Sequence, residues 1–191
     1  MTTLSCCLIV FTGCEPIEAF TAVDVLSRAG VDVTIASLEE SSSVTTAHGI
    51  EIRPKTSLSL VNEVLFDCVI VPGGPGATKP DFYHNSLLHS FLKKHESNNR
   101  LIGAICAAPI TLAEAGLLED RRATCYPAIR DKVEPKCRAY AEDKVVICNN
   151  VVTSRGPGTA LLFALSIARL LVTSDKANKI AADMLCEEFL Q

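Results

Sequence analysis

No tryptophan occurs in this chain, and only 5% of its 191 residues are aromatic. The core must therefore be built from Val, Leu, Ile and Ala, which favours buried strands and close-packed helices over an aromatic binding platform. Positive charge is also scarce: 18 Lys and Arg stand against 22 Asp and Glu, a formal net charge of -4. That balance argues against a phosphate-backbone footprint, and so against nucleic acid as the main partner. Long apolar runs are missing too. The stretch "GTALLFALSIARLLV" (158–172) is interrupted by Arg169 and is too short to cross a bilayer comfortably. No Lys or Arg precedes the apolar run near the N-terminus, as a signal peptide requires. No CxxC pair or Cys/His cluster at metal-ligand spacing accompanies the nine cysteines. The expectation is free thiols in a reducing compartment, the cytosol, with neither a metal nor a membrane involved.

What is present is an alternation of short apolar runs with helical patterns from end to end. "LSCCLIVF" (4–11), "VDVTIAS" (31–37), "DCVIVPGGPG" (67–76) and "LIGAI" (101–105) read as strands, the third entering a glycine turn. "PIEAFTAVDVLSRAG" (16–30) reads as a helix with Pro16 in its first turn and Gly30 as its stop. "SVTTAHGIEIRP" (43–54) alternates around His48-Gly49 as a hairpin does. "HNSLLHSFLKKHES" (84–97) and "APITLAEAGLL" (108–118) are helical. Four short strands follow residue 120, then helices over 158–172 and 174–190, the last capped by Ser174. Several strands are too apolar to face water, which implies one α/β domain over residues 1–191 with a mostly parallel sheet covered on both sides.

In such a sheet ligands sit beyond the carboxyl ends of the strands. Cys106 falls at that edge, after Leu101–Ile105, and opens the following helix, whose free N–H groups favour a negative sulfur. Thiols so placed have a pKa lowered from about 8.5. Ala104 and Ala108 resemble the small neighbours of a nucleophile elbow, where a sharp turn exposes the central side chain. A packed core thiol is the plain alternative. Cys6, Cys7, Cys68 and Cys148 lie in apolar strands and read as structural, while Cys125, Cys137 and Cys186 read as more open positions. Cys14 lies at the possible edge of the site.

Gly73 and Gly74 let backbone N–H groups converge on a developing oxyanion. In "SRGPGT" (154–159), Arg155 and its neighbouring amides are placed to hold an anion, or the loop is simply rigid. Glu18 has Thr21, Ala22 and Val25 on its helical face. Desolvation there raises a carboxyl pKa, so that it can donate a proton to sulfur. Glu15 reads as an ordinary solvated N-terminal acid.

"GCEPIEA", "VPGGPGA", "AICAAP" and "TSRGPGT", in this order, resemble the ThiJ/PfpI superfamily. The similarity is greatest to the branch that includes the Parkinsonism-associated protein deglycase and the bacterial ThiJ-like chaperone. The resemblance implies a flavodoxin-like three-layer sandwich and a homodimer through the first-helix region, including Arg28. It makes Cys106 the reactive cysteine and Glu18 its protonated glutamate, with Gly74 and Ala107 binding the oxyanion. Nuclear or mitochondrial pools are part of the same implication. One departure matters: where many relatives have histidine, "TCYP" places Tyr126, and a phenol with a pKa of about 10 is a poor base. The four histidines, His48, His84, His89 and His95, are expected at the surface.

The implied activity is cofactor-free, cysteine-dependent hydrolysis of methylglyoxal, or of its adducts on proteins and thiols (glyoxalase III-like or deglycase-like), with protection against oxidative stress. The alternative is a non-enzymatic redox sensor and chaperone that responds through Cys106 oxidation. A cysteine peptidase or amidase is a third reading, which Tyr126 disfavours.

Overall fold

The computed structural model describes residues 3–190. It begins with β1 (Ser5–Val10), α1 (Pro16–Arg28) and β2 (Asp32–Ser37). A hairpin of β3 (Val44–Thr45) and β4 (Glu51–Ile52) precedes β5 (Thr56–Ser57), α2 (Leu58–Val61) and β6 (Cys68–Val71). Then α3 (Pro80–Tyr83) and α4 (Ser86–Ser97) lead to β7 (Leu101–Ile105) and α5 (Pro109–Glu114). β8 (Arg122–Ala123), α6 (Arg130–Val133) and β9 (Ala139–Tyr140) come next, followed by β10 (Val145–Cys148) and β11 (Val151–Ser154). The chain closes with α7 (Ala160–Leu171) and α8 (Ser174–Asp183).

Seven strands form the central sheet in the order β10-β11-β7-β6-β1-β2-β5. β10 lies antiparallel on β11, and the remaining neighbours are parallel. Helices α1, α7 and α8 pack on one face, with α3, α4 and α5 on the other. This is the flavodoxin-like sandwich, and its strands are apolar because both faces are covered. In β7 the close approach of α7 needs Gly103: a Cβ there would come 2.6 Å from Ile167 and 2.8 Å from Phe163. From β1 the chain runs to β2 on one side and later to β6 on the other. The crevice opened at that switch point lies beside the carboxyl ends of β1, β6 and β7.

Two helices are shorter than the sequence pattern suggests. The 108–118 run forms only α5, because Gly116 turns at φ +76 and swings Leu117 and Leu118 into the core. The last helix stops at Asp183 and is capped by the Thr173 hydroxyl, not by Ser174. Leu185 reverses at φ +57, and this returns Cys186 to the interior, off the helical face of Ala177, Ile180 and Ala181. Cys125 is also buried, against its expected exposure, whereas Cys148 lies half-buried at the end of β10.

His95 overturns the surface expectation for the histidines, with no exposed area at all. Its Nε2 accepts the Phe66 N–H at 3.0 Å, and its Nδ1 lies 2.8 Å from the Phe91 carbonyl, to which it donates. Both nitrogens are satisfied by one neutral tautomer, and a second ring proton would point at an N–H. Burial, the largest cause, holds its pKa below the usual 6.5. The neutral ring therefore stabilises the fold fully above that value, and the contribution is lost as pH falls through the lowered one. Urea unfolding should show the stability gap between wild type and His95→Gln narrowing as pH drops from 7 to 5; a constant gap would contradict a neutral buried ring.

Candidate active site

β7 ends at Ile105, and the next residue reverses the chain. Cys106 has φ +64, a left-handed conformation that costs a residue with a Cβ about 1–2 kcal/mol. Two backbone bonds hold it there: its N–H donates to Ser154 at 2.9 Å, and its carbonyl accepts from Tyr126 at 2.8 Å. Ala104 and Ala108 are fully buried around the turn, as an elbow requires. The exit loop of β6 passes against it so closely that a Cβ on Gly73 would lie 2.7 Å from the Cys106 Cβ. Cys106 does not open the helix, however. α5 starts at Pro109 and is six residues long, so the elbow rather than a helix terminus presents the sulfur.

Glu18 reaches this sulfur from the far side of the crevice. Pro16 starts α1, and the third residue of the first turn points inward with no exposed area. Its Oε2 accepts the Gly73 N–H at 2.7 Å, while Oε1 is buried without a hydrogen-bond partner. The Cys106 thiol interacts with this carboxyl, though Oε1 stops short of an ordinary hydrogen bond to it. Burial, only partly offset by the Gly73 N–H, lifts the Glu18 pKa to about 7, as the apolar face predicts.

The thiol departs from expectation. Burial first, and the nearby Glu18 charge second, push Cys106 up to about 12, against the pull of the Gly74 and Ala107 N–H groups. A sulfur ionised by its surroundings alone is therefore not what the site provides. Between pH about 7 and about 12 the thiol and the carboxyl together hold one proton. Moving that proton to Glu18 removes the charge that opposes the thiolate and leaves the sulfur facing two amides.

The remaining predicted residues divide. The Gly74 and Ala107 N–H groups face the sulfur and pull its pKa down, against the effect of burial. The Gly73 N–H is spent on Glu18, so Gly73 positions the acid instead. Arg155 turns away and donates to the Glu142 carbonyl at 2.9 Å; Pro157 from the same loop lines the cavity in its place. Cys14 is buried behind the wall, with its thiol pKa raised chiefly by burial. Tyr126 does line the cavity, 44% exposed.

Two further residues stand at the mouth. Glu15 is not a solvated acid: it is 8% exposed and lines the cavity. Its Oε1 caps α1 at the Ile17 N–H, and its Oε2 lies 3.2 Å from His48 Nε2. The β3–β4 hairpin brings His48 there because Gly13 N–H donates to Thr45 and Ala47 N–H to Cys14. A hairpin was legible in the sequence, but no local signal revealed where it folds back. Among the described residues no group of side chains is arranged to hold a metal, and no helix is long and apolar enough to cross a membrane.

The chain is a flavodoxin-like protein in which a cysteine on a strained turn at the carboxyl edge of a parallel sheet faces a buried acid. The chain belongs to the DJ-1/PfpI family, whose model matches residues 5–170. It is 39% identical to the protein dj-1beta of Drosophila melanogaster over 182 residues, 95% of this chain and 96% of that one. The crystal structure of Drosophila DJ-1beta superposes with a TM-score of 0.89 at 38% identity, covering 96% and 98% of the two chains. The glutathione-independent glyoxalase DJR-1.2 of Caenorhabditis elegans is 38% identical over 166 residues, 87% of each chain. Protein DJ-1 homolog A of Arabidopsis thaliana is 38% identical over 91% of this chain, which spans only 44% of that relative's length.

Two measurements test this geometry. If the elbow is strained, Cys106→Gly should be more stable than Cys106→Ala by about 1 kcal/mol, the reverse of the usual order for these residues. Alkylation of Cys106 should accelerate as pH rises through about 7, where Glu18 becomes able to accept the thiol proton, and Glu18→Gln should abolish that inflection. The same raised pKa makes the protonated acid the stabilising form. Its contribution is complete below 4.5 and lost as pH rises through about 7, so Glu18→Gln gains on wild type over that window by roughly 3 kcal/mol.

Proposed function

We propose that this chain is a cysteine-dependent enzyme that detoxifies reactive dicarbonyls, converting methylglyoxal, or its early adducts on protein amines and thiols, to hydroxy acids. The observation that carries this reading is the pairing of the Cys106 elbow with a buried acid whose pKa is about 7, matched to proton transfer at neutral pH. The resemblance to a glutathione-independent glyoxalase over 87% of both chains supports it.

In the proposed cycle, Glu18 takes the thiol proton as Sγ attacks the aldehyde carbon. The carbonyl electron pair moves onto oxygen, which the Gly74 and Ala107 N–H groups receive, and protonation gives a hemithioacetal. Glu18 then takes the proton of that carbon to give an enediolate and returns it to the adjacent carbon, while the hydroxyl proton passes to the neighbouring oxygen. One carbon is oxidised as its neighbour is reduced, and the product is a 2-hydroxy thioester. Water hydrolyses it and restores the thiol, so no cofactor enters. An aldehyde is more electrophilic than an amide, so Tyr126 in place of a histidine base is tolerable here, whereas a peptidase would lack its general base.

A second reading rests on the same acid. Below about pH 7, protonated Glu18 can donate to an oxidised sulfur, so Cys106 would serve as a peroxide sensor with chaperone activity. Both readings place the protein in a reducing compartment. Both also fit a homodimer through α1, which carries Ile17 (54% exposed) and the exposed Arg28–Asp24 pair on its outer side.

Steady-state hydrolysis of methylglyoxal by reduced protein should be measurable, fall by at least 1000-fold in Cys106→Ala (about 4 kcal/mol of barrier), and lose its dependence on pH near 7 in Glu18→Gln. Peroxide protection in cells without any turnover by reduced protein would transfer the conclusion to the sensor.

A further inference from the structure

The Cys106 cavity has a volume of about 340 Å³, and its wall is unusual in its charge. Pro75, Ala107, Tyr126, Ala128, Ile129 and Pro157 give it an apolar side. The charged side chain among the residues lining it is Glu15, and behind the sulfur stands a second carboxyl, Glu18. Arg155, the cation that the sequence offered for this edge, is committed to the Glu142 carbonyl. Lys79 lines a separate cleft with Phe11, Glu39 and Asp81.

Glu15 is also fixed. Its side chain is 10% exposed, with one oxygen accepting from the Ile17 N–H at the start of α1 and the other meeting His48, so both oxygens are held at the cavity wall. His48 is itself 68% exposed and lies on the solvent side of the carboxylate. A substrate entering the cavity therefore meets the acid directly, with the imidazole outside. Deepening the reading of the site proposed above, we infer that Glu15 is a specificity-determining residue. It restricts the cavity to uncharged aldehydes that carry a small apolar substituent, and excludes aldehydes bearing a carboxylate or phosphate.

The physical basis is Coulomb repulsion at short range in a partly desolvated cleft. An anionic group within a few ångströms of a fixed carboxylate loses roughly tenfold or more in occupancy at an effective dielectric constant near 20–40. The apolar wall opposes the same groups by desolvating them without a partner. Neutral oxoaldehydes suffer neither penalty.

The test uses alkylating probes, so it does not depend on turnover. Reduced protein is reacted with iodoacetamide and, separately, with iodoacetate, and modification at Cys106 is followed by peptide mapping. The ratio of the two rates is normalised to that of a free thiol such as N-acetylcysteine. Wild type should favour the neutral probe by at least tenfold beyond the free thiol, and Glu15→Gln should bring the ratio down at least fivefold. His48→Lys, made at an exposed position where folding is not in question, should lower it as well by placing a fixed cation on the carboxylate. A normalised ratio near one in wild type overturns the inference. So does a ratio that neither variant changes. If the ratio behaves as expected but methylglyoxal is not turned over, the specificity stands and the enzymatic reading falls. Turnover with a ratio near one keeps the enzyme and removes the specificity.

Discussion

The backbone of Cys106 is the constraint on which the site depends. A left-handed residue at the end of a buried strand is held only because three separate segments agree on it. Ser154 at the end of β11 receives its N–H, Tyr126 donates to its carbonyl, and the glycine loop after β6 leaves room for its Cβ. Each contact comes from a different stretch of chain, so the strain of about 1–2 kcal/mol is distributed over the sheet rather than carried by one bond. The result is a sulfur aimed outward from a rigid edge, independent of any helix terminus.

Gly73 and Gly74 connect this elbow to the acid. Gly73 gives its N–H to Glu18 and its carbonyl to the Glu15 N–H, which ties the first turn of α1 to the loop after β6. Gly74, at φ +108, packs so tightly that a Cβ would meet the Gly13 carbonyl at 2.4 Å. The two glycines thus lock three loops at the carboxyl edge into one unit. That rigidity keeps a carboxyl buried although its ionised form is disfavoured there. The stability given up at Glu18 appears as a carboxyl pKa raised to about 7.

Much of this was legible in the sequence, and the failures have a common physical cause. The central strands, the first helix with its Gly30 stop, and the elbow at Cys106 follow from local patterns of apolar residues, prolines and small neighbours. So does the raised pKa of Glu18, because its i+3, i+4 and i+7 neighbours lie on the buried face. What local pattern cannot report is the partner of a side chain that reaches across the fold. Arg155 finds the Glu142 carbonyl, His95 finds the Phe66 N–H twenty-nine residues away, and His48 finds Glu15 thirty-three residues away. The expected depression of the thiol pKa failed for a related reason. Proximity to a helix was read from sequence order, whereas desolvation and the charge of Glu18, both tertiary effects, dominate.

Tyr126, where the resemblance led one to expect a histidine, then has a structural account. A Cys–His dyad obtains its thiolate by pairing it with an imidazolium, which requires a cation inside the cleft. With a carboxyl as the acceptor, the pair instead carries a net charge of −1 whichever group holds the proton, whereas a Cys–His dyad is net neutral in both arrangements. The phenol at position 126 is free to serve as part of the apolar wall, with its backbone N–H still holding the elbow. A neutral electrophile can enter such a cleft without disturbing the proton balance. An anionic one would meet a negative charge in either protonation arrangement. The proposed activation thus rests on Glu18, a buried acid in place of a base that becomes cationic, and the proposed selectivity on Glu15, the second carboxylate at the same cavity.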